Sequence, residues 1–69
     1  MEIIFTEHTK ERMRKRSISE EEVINAIKFA DKTDKKQGKY YTQKNIGRAE
    51  IGVVYEKDKY IKVITTYYL

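Results

Sequence analysis

His8, Arg12 and Arg16 recur at every fourth residue of the stretch T-E-H-T-K-E-R-M-R-K-R, residues 6–16. On a helix this spacing puts an imidazole and two guanidiniums on adjacent turns of one face. Cleavage of RNA through its own 2′-hydroxyl needs such groups and no metal. It takes a base for the hydroxyl, an acid for the leaving oxygen, and cations for the charged transition state. His8 is the sole histidine, and an imidazole exchanges protons near neutrality. Arg12 and Arg16 suit a phosphate, which a guanidinium grips through paired N–H groups. A two-histidine mechanism is excluded, so a tyrosine, a lysine or Glu7 must supply the second proton transfer. The plainer reading makes His8 a surface residue near a helix start and the arginines partners of Glu7, Glu11 or the acids at 20–22.

A second set of residues suits nucleic-acid binding. Arg48 follows a glycine at the start of a strand, where a guanidinium could reach a phosphate; its plainer reading is a turn charge. Six tyrosines are many for 69 residues. Aromatics interleaved with lysine, as at Lys39 and Tyr40, are what single-stranded RNA platforms use to stack bases. Tyrosine is equally an ordinary strand residue with a wet tip. Tyr67 and Tyr68, ending the last strand, are set apart from that reading, Tyr67 as a catalytic candidate beside His8. Thr65 could donate to a phosphate, although β propensity accounts for it equally.

The elements that must hold these groups follow from the pattern. Ile3, Ile4 and Phe5 form a short first strand. Thr6 is a candidate N-cap for a helix ending around Arg16, with Met13 almost its only core anchor. Ser17-Ile18-Ser19 breaks the chain, and Ser19 with Glu22 fits a capping box for a second helix. Val23, Ala26, Ile27 and Ala30 recur at helical spacing, so this helix has a buried stripe. The polar segment 31–37 reads as a connection closed by Gly38. Lys39 to Gln43 favours a strand, with a turn at 45–47. Ile51, Val53 and Tyr55 alternate with Gly52, Val54 and Glu56 in the next strand. A polar turn at 57–59 leads into a last strand in which Ile61, Val63, Thr65 and Tyr67 are expected to face together. The fold class is α+β, two helices on one face of a three- to four-stranded antiparallel sheet in a single domain over 1–69.

The totals narrow the function. Sixty-nine residues bury only a small core and no large pocket. The absence of cysteine removes disulfides and thiolate chemistry. No His or Asp spacing forms a metal cage and no phosphate-cradling glycine loop occurs, so no metal and no cofactor is expected. No apolar run is long enough to span a bilayer and no signal-peptide core precedes the domain, which makes the cytoplasm the expected location. The net charge of +4 is segregated: +3 over residues 6–16, −3 over 17–31 and +5 over 32–48. Two basic stretches flanking an acidic one suit a domain drawn to a polyanion; the alternative is a solvated lysine-rich surface.

H-T-K-E-R-M-R-K-R-S-I-S-E-E-E-V at 8–23, G-V-V-Y-E-K-D at 52–58 and I-K-V-I-T-T-Y-Y at 61–68 resemble the DUF4258 family, which looks related to the BrnT and RelE-type toxins. The resemblance implies a RelE-like fold, with His8, Arg12 and Arg16 at the functional face and Thr65 and Tyr67 nearby. It also implies a metal-independent endoribonuclease whose partners are RNA and an acidic antitoxin. The alternative is a non-catalytic module binding RNA or protein through the same basic face.

Overall fold

The computed structural model describes residues 1–69. The elements run β1 (Ile3–Phe5), α1 (Glu7–Arg16), α2 (Glu20–Lys28), β2 (Lys32–Lys36), β3 (Lys39–Asn45), β4 (Glu50–Lys57) and β5 (Ile61–Tyr68). The α+β expectation holds, with a larger sheet than foreseen: five strands in the order β1-β5-β4-β3-β2. It is also mixed, because β1 pairs with β5 in parallel while the other neighbours are antiparallel.

The extra strand is β2, in the segment read as a connection. Its five residues, K-T-D-K-K, are all exposed and lack any apolar alternation to betray a strand. What makes them one is the turn. Gln37 and Gly38 both take positive φ, 51° and 79°, and this two-residue geometry folds Lys36 back onto Lys39. Strand pairing with β3 then follows from hairpin closure.

Both helices are capped as their sequences indicate. Thr6 accepts the amide of Thr9, and Ser19 and Glu22 form the reciprocal box at α2. At the other end of α1, Ser17 adopts a left-handed conformation and the Ile18 amide returns to the Met13 carbonyl, which tucks Ile18 into the core. Met13, Ile18, Val23 and Ala26 meet Ile51, Val53, Tyr55, Ile61 and Val63 in one cluster on the helix side of the sheet.

A bulge alters the last strand. Tyr55 pairs with Val63 but Val54 pairs with Thr65, so Ile64 is an extra residue on β5. The expected single face of Ile61, Val63, Thr65 and Tyr67 therefore breaks after Val63. Thr66, fully buried, continues the helix side, whereas Thr65 and Tyr67 pair with Val54 and Gly52 on the opposite face. No helix is long and apolar enough to cross a membrane.

Candidate functional site

α1 carries the histidine and arginines along its length. Its buried positions are Thr9 and Met13, and Thr9 is anchored by donating its hydroxyl to the Val63 carbonyl at 2.9 Å. That contact ties the first turn of α1 to β5 and fixes how its neighbours are presented. His8 is exposed, and Arg12 Nε donates to His8 Nε2 across 3.4 Å, a long bond at the surface. The acids of α1 pair elsewhere, Glu7 with Lys10 at 3.8 Å and Glu11 with Lys15 at 3.4 Å. No carboxylate pairs with Arg12.

Arg16 does a different job. Its Nη1 donates to the Thr66 carbonyl at 2.6 Å. β1 pairs only as far as Val63, so the outer side of β5 beyond it has no strand neighbour, and Arg16 satisfies a carbonyl that a sixth strand would otherwise take.

Arg48 is a clamp, not a free phosphate ligand. Its Nε and Nη2 grip the Glu22 carboxylate at 3.1 and 2.9 Å, Nη2 also reaches the Ser17 carbonyl at 2.7 Å, and Nη1 donates to the Tyr68 hydroxyl at 3.0 Å. The guanidinium lies 5.7 Å from the Tyr68 ring centroid, and the Tyr68 hydroxyl in turn donates to the Arg16 carbonyl. One side chain from the β3–β4 turn thus joins the end of α1, the start of α2 and the end of β5. The Arg48 bond, followed by the Ser19 amide, holds the Glu22 carboxyl below its ordinary range, and the bonds to Glu22 and then Tyr68 hold Arg48 above its own.

The remaining candidates separate by face. Tyr40 is on the helix side, stacked on Tyr55 with ring centroids 5.0 Å apart and covered from the hairpin by Lys35. Burial raises the Tyr55 hydroxyl above its usual range. Lys39, Thr65 and Tyr67 face away from the helices, paired with Glu56, Val54 and Gly52. The expected grouping of Tyr67 with His8, Arg12 and Arg16 is corrected accordingly: the bulge at Ile64 turns Tyr67 to the far side of the sheet. Of the nine candidates, exposed His8 and half-buried Arg12 stand together on α1 with no carboxylate on the arginine, whereas Arg48 and Tyr68 meet each other within the clamp.

A model of the family described as domain of unknown function (DUF4258) matches residues 5–68. The chain belongs to the DUF4258 family. No curated protein and no solved structure shows significant similarity to it. The DUF4258 match runs from the last residue of β1 through β5, and so includes the His8–Arg12 pair on α1 and the clamp at Arg48. The residues missed from sequence are Thr9, Glu22 and Gly52. Thr9 had a signal, since it lies four residues before Met13 on the buried stripe of α1. Glu22 was legible as a capping residue and as a possible partner of the α1 arginines, but not as the partner of Arg48, which is 26 residues away.

Proposed function

We propose that this DUF4258 protein is a toxin-type, metal-independent endoribonuclease of the cytoplasm, related to the BrnT and RelE-type toxins. The observation that carries the reading is the His8–Arg12 pair, an imidazole and a guanidinium 3.4 Å apart with no carboxylate on the arginine. A phosphate arriving at Arg12 competes with that long surface bond and frees His8 Nε2. The imidazole then takes the proton of the 2′-hydroxyl, whose oxygen attacks the adjacent phosphorus. Tyr67 is across the sheet and Glu7 is paired with Lys10, so the 5′-oxygen departs with a proton from solvent in place of the side-chain acid expected from the sequence, leaving a 2′,3′-cyclic phosphate. Arg12 stabilises the charge gathering on the phosphoryl oxygens. An acidic antitoxin would cover the same basic helix face.

The test is cleavage of RNA by purified protein in chelator. Wild type is expected to cut, and His8→Ala to lower the rate about 10²- to 10⁴-fold while leaving RNA affinity in place. A wild-type protein that binds RNA and never cuts it ends the nuclease reading. A non-catalytic binding module is then favoured by one arrangement: Arg16 and Arg48 are engaged internally and Tyr67 is across the sheet, which leaves only His8 and Arg12 of the residues expected to act on the phosphate.

A further inference from the structure

We propose that the sheet face turned away from the helices is a stacking platform for unpaired RNA bases, centred on Tyr67. It rests on the preceding reading for RNA as the ligand and not for cleavage. Residues paired across strands share a face, so the register lays out three rows. They are Gln43–Gly52–Tyr67, Tyr41–Val54–Thr65 and Lys39–Glu56–Lys62. Successive rows are about 7 Å apart, twice the rise of a strand residue.

Tyr67 has an unusual seat. A Cβ on Gly52 would lie 2.6 Å from Cζ of Tyr67 and 2.8 Å from its hydroxyl, so the distal ring lies across the Gly52 backbone. Only glycine leaves that room. Tyr67 is nevertheless only partly buried, and Tyr41 in the next row is 38% exposed. Rings on an open sheet receive bases of any sequence, since every base has a π-face. The Gln43 amide, in the same row as Tyr67, can read a base edge. Lys36, Lys39 and Lys62, all exposed, share one row with Glu56, Lys32 extends the Tyr67 row at the sheet edge, and Asp34 and Glu50 lie toward the margins of the face. Aromatic rings with lysines on both sides of them suit a single strand with its bases unstacked. A duplex hides its bases.

The chain has no tryptophan, so Tyr67→Trp installs a single reporter that keeps an aromatic over Gly52. A short single-stranded oligoribonucleotide is expected to quench it and the matched duplex is not. Tyr67→Ala should bind the oligonucleotide about tenfold more weakly, and Tyr67→Phe like wild type. The Lys39→Gln/Lys62→Gln double variant should reduce the salt dependence of binding. If Tyr67→Ala fails to fold, the Phe and Trp variants decide. The platform is overturned if RNA binds without quenching Tyr67→Trp, if folded Tyr67→Ala binds as wild type does, or if wild type binds only duplex, only polyglutamate or nothing. Quenching without cleavage leaves the platform standing and removes the nuclease alone.

Discussion

Arg48 and Glu22 form a two-point contact, Nε to Oε2 at 3.1 Å and Nη2 to Oε1 at 2.9 Å, linking the β3–β4 turn to the first turn of α2. Glu22 Oε1 accepts the Ser19 amide at the same time, so capping and clamping share one carboxylate. Arg48, read from the sequence as a further candidate for phosphate, is thereby a fastener of the fold.

This pairing gives stability a definite pH dependence. The folded Glu22 carboxyl titrates below its ordinary value of 4.5, so its contribution is complete above that value. It is lost as the pH falls through the lower, folded value. Urea midpoints followed from pH 6 to pH 3 should show this loss, and Glu22→Gln should flatten it. Arg48→Met should return the Glu22 titration, read by NMR, toward the ordinary range.

Arg16 should behave as a structural residue. Arg16→Met leaves the Thr66 carbonyl without its charged donor and is expected to cost about 1.5–3 kcal/mol by denaturant unfolding. Cleavage per folded molecule should be unchanged. A loss of cleavage in a fully folded Arg16→Met protein would return this residue to the reacting group.

Thr9→Val tests the link between α1 and β5. The substitution preserves shape but removes the hydroxyl that donates to the buried Val63 carbonyl, at an expected cost of about 1–3 kcal/mol. Hydrogen exchange should quicken in α1 before it does in β4.

Arg12 should be catalytic without being structural. Arg12→Ala is expected to slow cleavage about 10²-fold with an unchanged urea midpoint. Arg12→Lys should restore only part of the rate, because an ammonium cannot present two parallel N–H groups.

The sequence by itself determined the local elements. Thr6 and the Ser19–Glu22 box announce the two helix starts, Val23 and Ala26 announce the buried face of α2, and the alternation of Ile51, Val53 and Tyr55 announces β4. These signals are carried by neighbours within a few residues, where periodicity and capping chemistry act. The helical spacing of His8 and Arg12 was legible for the same reason.

Only the tertiary structure decided which charged and aromatic side chains are free. Arg48 meets Glu22 across 26 residues, Arg16 meets Thr66 across 50, and neither distance leaves a periodic trace in the chain. β2 exists because a turn at Gln37 and Gly38 folds it onto β3, not because its lysine-rich sequence favours a strand. One extra residue at Ile64 moved Tyr67 to the far side of the sheet, since side-chain direction in a strand reverses with every residue.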